Sequence, residues 1–110
     1  MKLPNRERAI VAREKLTDYL LNTKHRRGGS KAQLLRQFGY SAENWKRLAS
    51  DIRTYHLEAE IDRVRHTPYG VRYEIVAELL TPQGRGLLMR TIWQIDVGND
   101  APRLITMIPE

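Results

Sequence analysis

The sequence predicts an α+β fold in which about three N-terminal helices pack on one face of a four-stranded antiparallel β-sheet. Three observations carry that expectation. Apolar residues recur at three- and four-residue steps as far as His56, and beyond it the period falls to two. The period-two stretches are separated by short clusters of turn-forming residues, the spacing of a meander. Helices followed by strands make two layers rather than alternating βα units.

The elements follow in order. Ala9-Ile10-Val11 is a short apolar patch suited to an edge strand or an extended arm. Ala12 to Leu21 reads as a helix, with Leu16, Tyr19 and Leu20 spaced to share one face and Asn22 as its stop. Lys24 to Lys31 then forms a basic loop. Ser30 and Gln33 have capping-box spacing for a short helix to Phe38, with Gly39 as a left-handed C-cap. A third helix is expected from Ser41, since Trp45, Leu48, Ala49, Ile52 and Tyr55 give the clearest helical period in the chain.

After His56, Leu57, Ala59 and Ile61 alternate with Glu58, Glu60 and Asp62, which predicts a first strand. His66 to Gly70 is a turn by composition. In the second strand Val71, Tyr73, Ile75, Ala77 and Leu79 point one way. In the third, after the Thr81-Pro82-Gln83-Gly84 connection, Leu87, Met89, Thr91, Trp93 and Ile95 share one face. The helices should cover Val71, Tyr73, Ile75, Met89, Trp93 and Ile95, leaving Arg72, Glu74, Arg90 and Gln94 to water or a ligand. Arg103 to Ile108 is a last strand whose register the pattern does not fix, and a slip of one residue exchanges its faces. Residues 1–110 read as one domain, mainly helical over 1–56 and sheet over 57–110.

The net charge of +6 is unevenly distributed. Residues 1–36 hold ten Lys/Arg against three Asp/Glu, whereas residues 37–110 hold nine against ten. The excess centres on Lys24-His25-Arg26-Arg27-Gly28-Gly29-Ser30-Lys31, which contains four cations, two glycines and no acid. A basic loop opening a helix is suited to phosphate, through cationic side chains and free N–H groups at the positive end of the dipole. Such asymmetry of charge predicts a polyanionic partner, nucleic acid first and an acidic protein second. The chain has no apolar run long enough to cross a bilayer, no signal-peptide core and no cysteine, so a cytoplasmic, membrane-free protein is expected.

No cofactor or metal is expected either: the three histidines are dispersed, without thiolates, and no phosphate-loop or nucleophile-elbow pattern occurs. What remains is metal-independent chemistry on RNA. Cleavage by the 2′-hydroxyl needs a base, an acid for the leaving 5′-oxygen and cations around the phosphorane. His25 and His66 in loops can move protons, whereas His56 closes a helix, where a cation is welcome. Arg26, Arg27 and Lys31 in or beside the loop, and Arg72, Arg85, Arg90 and Arg103 on or beside the sheet, can hold phosphate. Tyr69 in its turn is the freest ring for stacking on a base.

Leu16-x-x-Tyr19-x-Leu21, His25-x-x-Gly28-x-x-Lys31-Ala32, Tyr69-Gly70-x-x-Tyr73, Pro82-x-Gly84-Arg85, Arg90-Thr91-x-Trp93 and Ala101-Pro102-Arg103-Leu104-x-Thr106 together resemble an uncharacterised bacterial domain family. That family is similar in layout to the barnase, colicin and RelE-like ribonuclease toxins. The resemblance implies the toxin half of a toxin–antitoxin pair and metal-independent RNA cleavage. It points to His25, Lys31, Arg85, Arg90, Thr91, Arg103 and Thr106. On that reading His25 is acid or base, Lys31 and Arg90 hold the phosphate, Arg103 stabilises developing charge, and Thr91 and Thr106 add hydroxyl bonds. Two positions depart from the family pattern: Arg26 replaces the usual proline after the histidine, and Ile108 stands where a tyrosine often precedes the last proline. The alternatives are a non-enzymatic helix-turn-helix-like nucleic-acid binder, built from Lys31–Phe38 and the Trp45 helix, and a protein-interaction module.

Overall fold

The computed structural model describes residues 1–27 and 29–110; Gly28 of the family pattern lies outside them. A 3₁₀ turn at Arg6–Arg8 leads to an extended arm in which Ile10 forms a parallel bridge with Arg103. Helix α1 combines an α-helical turn, Arg13–Lys15, with a π-helical turn, Leu16–Leu20. Helix α2 is Gly29–Gln37, and α3 is Trp45–Asp51 continued by a π-helical turn, Ile52–His56. Strands β1 (Arg63–Thr67), β2 (Gly70–Leu80), β3 (Gly86–Asp96) and β4 (Arg103–Pro109) form an antiparallel meander in the order β1-β2-β3-β4. The α+β architecture is therefore the one the change of period predicts.

The core lies between the helices and one sheet face. Leu16 and Leu20 of α1, Leu35 of α2 and Leu48 and Ile52 of α3 are buried against Ile75, Leu79, Met89, Trp93 and Met107. Val71, Tyr73 and Ile95 share that face but are only half-buried. They stand at the end of β2 and β3 away from Ala77, where His56 docks. Gly39 ends α2 at φ +99°, and a side chain there would meet Pro82 at 2.8 Å as well as the left-handed strain.

Four local expectations are corrected. Ser30 is the second residue of α2, inside the helix rather than its cap. Helix α3 begins at Trp45, not Ser41, because the Asn44 side chain ties off the preceding turn, accepting from the Ser41 N–H and donating to the Gly39 carbonyl. Leu57 to Ile61 is not strand: the Ile61 N–H donates to the Met1 carbonyl at 2.7 Å, and the ladder with β2 begins only at Asp62. His66 and Thr67 belong to β1, leaving Pro68 and Tyr69 as the turn.

The sheet's second face is also less open than expected. Glu74 and Gln94 are buried there, covered by arginine side chains. Arg72 Nε donates to Gln94 Oε1 at 2.9 Å, and Arg90 reaches Glu74, Asp62 and Glu110.

Candidate functional site: a cation and two hydroxyls at the β4 edge

The basic loop and the sheet meet at Lys31. Placed in the first turn of α2, Lys31 donates from Nζ to the Tyr19 hydroxyl at 2.8 Å and to Thr106 Oγ1 at 3.2 Å. The two hydroxyls are themselves 3.1 Å apart. Three elements thus contribute one residue each: the π-helical turn of α1, the start of α2, and β4. The chain explains each placement. Leu16 and Leu20 anchor the π-helical turn in the core and leave Tyr19 half-buried at its rim. On β4 the pairing shifts register between Ile92 and Trp93, so that Ile92 opposes Thr106 while Trp93 opposes Leu104. Such a bulge re-aims side chains at a sheet edge.

A count of protons defines what the cluster can hold. An ammonium brings three donors and each hydroxyl one. Three hydrogen bonds close the triangle, so one N–H and one O–H are left for a further acceptor. No carboxylate pairs with Lys31 among the described residues, and Lys15 Nζ adds a second cation 5.5 Å from the Tyr19 ring centre. Surplus donors beside unopposed positive charge suit an anion.

The same contacts act on Tyr19. Burial alone would raise its pKa, but hydrogen bonds from Lys31 and Thr106 and the charges of Lys31 and Lys15 outweigh it and lower the phenol below its ordinary value. His25 packs edge-on against this ring, 5.0 Å between centroids. Its Nδ1 accepts the Arg27 N–H at 3.0 Å, so the neutral imidazole carries its proton on Nε2. Arg26 and Arg27 are exposed on the adjoining loop.

The other expected residues are elsewhere. The Arg90 guanidinium is ringed by Glu110, Asp62 and Glu74 at 2.9–3.1 Å, which neutralises it and keeps its pKa above the ordinary arginine value. Arg103 is paired with Asp96 through Nε at 2.8 Å, three residues along β4 from Thr106. Arg85 stacks on Phe38 at 4.5 Å, beyond the C-terminal end of α2 and so a helix length from Lys31. Tyr69 is 77% exposed in the β1–β2 turn.

Thr91 is enclosed in the core. Its hydroxyl accepts from the Trp93 indole at 2.9 Å and meets His56 Nδ1 at 2.8 Å. His56 Nε2 lies 3.0 Å from the Ala77 carbonyl, which can only accept. The imidazole is therefore protonated on Nε2, and Thr91 donates to Nδ1. Burial pushes the His56 pKa down to about 4, so it is a neutral core residue and not the helix-terminal cation that its position suggests.

Of the expected site residues, then, His25, Lys31 and Thr106 come together, with Arg26 and Arg27 alongside. Tyr19, which joins all three, is the residue that sequence reasoning missed. A cavity of about 230 Å³ lies on another side of the loop, lined by Leu21, Thr23, Lys24, Arg36, Tyr40 and Glu43 among others. It includes none of the cluster. Among the described residues no three His, Asp or Glu side chains gather as a metal site requires, and no helix is long and apolar enough to cross a membrane.

Fold and site together define a small basic α+β domain with a lysine–tyrosine–threonine cluster at a sheet edge. The chain belongs to the family described as Domain of unknown function (DUF6883), whose profile matches residues 2–110. No curated protein matches it. Among solved structures it is similar to a chain of a contact-dependent growth inhibition toxin–immunity protein complex from Klebsiella pneumoniae 342. The TM-score is 0.64 at 14% identity, covering 92% of this chain and 99% of that one. At that identity the likeness is one of fold.

Proposed function

We propose that this domain is a toxin-like, metal-independent endoribonuclease acting at Tyr19, His25, Lys31 and Thr106. The observation that carries the reading is the triangle of Lys31 Nζ, Tyr19 Oη and Thr106 Oγ1, with every side within 3.2 Å, beside the His25 ring. Its fold, shared with a chain of a toxin–immunity complex, is compatible with that reading.

The chemistry follows from the donors. With Tyr19 as its phenolate, the spare N–H of Lys31 binds a non-bridging phosphate oxygen and gains strength as charge grows on the phosphorane. Tyr19, held towards its phenolate by Lys31, takes the 2′-hydroxyl proton. The 2′-oxygen attacks phosphorus, the bond to the 5′-oxygen breaks, and His25 returns a proton to that oxygen. For His25 to act as an acid, Nδ1 must also be protonated, which requires it to release the Arg27 N–H. The products are a 2′,3′-cyclic phosphate and a 5′-hydroxyl.

Purified protein incubated with total RNA in EDTA is expected to yield fragments with 5′-hydroxyl ends, and Tyr19→Phe to slow their appearance by about 10²-fold or more. Intact RNA after prolonged incubation, or undiminished cleavage by Tyr19→Phe, would remove the reading.

A further inference from the structure

The register of the sheet sets up a row of cations on the face away from the helices. Arg65 opposes Arg72, Arg72 opposes Gln94, and Gln94 opposes Arg103, so one line of side chains crosses all four strands. At the usual strand separation it spans about 14 Å, the axial length of about four stacked nucleotides. Arg72 is oriented by Gln94, and Gln94 by Asp96, which also holds Arg103.

Folding does not account for the opposition of Arg65 and Arg72 within this row. Arg65 and Arg72 are directly opposite on neighbouring strands, where like charges destabilise pairing. Arg63, Arg65 and Arg72 form no ion pair with a carboxylate among the described residues, although the sheet's other arginines, Arg90 and Arg103, do. Three residues before Arg72, the β1–β2 turn presents Tyr69, and the Val97 N–H bonded to the Tyr69 carbonyl places exposed Val97 beside it.

We propose that the Arg65–Arg72–Gln94–Arg103 row is a track for the phosphodiester backbone of single-stranded RNA, with Tyr69 as its stacking platform. The track ends on β4, the strand that carries Thr106 of the candidate site. The assignment rests on the RNA reading and names the surface that would deliver the substrate. A phosphodiester chain supplies one charge and one stackable base per nucleotide, and so uses both the guanidinium line and the exposed ring. An acidic protein would use the charge and leave Tyr69 without a role.

The test is fluorescence anisotropy with an uncleavable 2′-O-methyl RNA oligonucleotide across a salt series. Replacing Arg65 and Arg72 together by serine is expected to weaken binding about tenfold and to lower the log–log salt slope by about 1.4, for two lost phosphate contacts. Tyr69→Ala should weaken binding with the slope unchanged. Arg65→Ser alone, which relieves the opposed charges and keeps the Arg72–Gln94 bond, should lower the slope by about 0.7 with its urea midpoint at or above that of the wild type, so its loss of binding is not loss of fold. Absence of wild-type binding, or a double variant with wild-type affinity and slope, overturns the track. So does displacement of the RNA by polyglutamate at equal charge with no effect of Tyr69→Ala, which would mark a surface for an acidic protein. Binding through the row without cleavage of natural RNA would overturn the nuclease and leave the track standing. Cleavage with an indifferent row would do the reverse.

Discussion

His25→Ala is expected to reduce RNA cleavage in EDTA by 10²- to 10⁴-fold, the usual worth of a positioned acid or base. The loss should be in kcat, because on the proposed mechanism phosphate is held by Lys31 and not by the imidazole. Lys31, Tyr19 and Thr106 bond to one another, and His25 meets them through the Tyr19 ring. Lys31→Ala, by contrast, should raise KM as well as lower kcat, since it removes the ammonium that joins two hydroxyls and faces the anion. Gel-resolved initial rates over a range of RNA concentrations separate the two. Equal effects on KM from both variants would mean that His25 binds rather than transfers protons.

The second large effect concerns His56. Its imidazole is sealed in the core, donating from Nε2 to the Ala77 carbonyl and accepting from Thr91, whose oxygen takes the Trp93 N–H. In the folded protein it protonates only near pH 4, and in the unfolded chain near its ordinary value of about 6.5. Between those values the unfolded state binds a proton that the folded state excludes. Stability is therefore complete above about pH 6.5 and falls as the pH drops towards 4, by about 3 kcal/mol in all. Lowered carboxylate pKa values at Asp96 and Glu110 act in the same direction at lower pH, as both lose favourable arginine contacts when protonated. Urea unfolding of the wild type and His56→Ala at pH 7 and pH 4 isolates the histidine. The variant should be less stable by about 3 kcal/mol at pH 7, through a cavity and unpaired core donors and acceptors. Its loss on acidification should be smaller than that of the wild type. Parallel pH dependence in the two proteins would show that His56 does not exclude a proton.

These two histidines mark where sequence reasoning succeeds and where it stops. The layers and strand order were legible because the change of period at His56 reports which faces are buried, and burial is what organises the fold. Thr91 was legible too: its parity with Met89 and Trp93 already placed it on the core face, and only the family pattern argued for a catalytic role. Tyr19 was hidden by the same logic. Spaced with Leu16 and Leu20, it reads as a core residue, and nothing local reveals that a π-helical turn leaves its hydroxyl at the rim. Arg90 and Arg103 were not legible, because their partners are set by register and by residues outside the paired strands. Asp62 precedes β1, and Glu110 follows β4. The Arg65–Arg72 opposition depends on register in the same way, which a one-residue slip would erase.

On the proposed mechanism the RNA's own 2′-hydroxyl is the nucleophile at the Tyr19–Lys31–Thr106 triangle. A single-stranded RNA oligonucleotide cut at a mapped position, compared in EDTA with the same oligonucleotide carrying one 2′-deoxy sugar on the 5′ side of that bond, tests it most directly. The deoxy substitution is expected to abolish cleavage at that bond, and the unmodified RNA to yield a 2′,3′-cyclic phosphate there. Equal cleavage of both oligonucleotides would contradict it, since the attacking oxygen would then come from elsewhere.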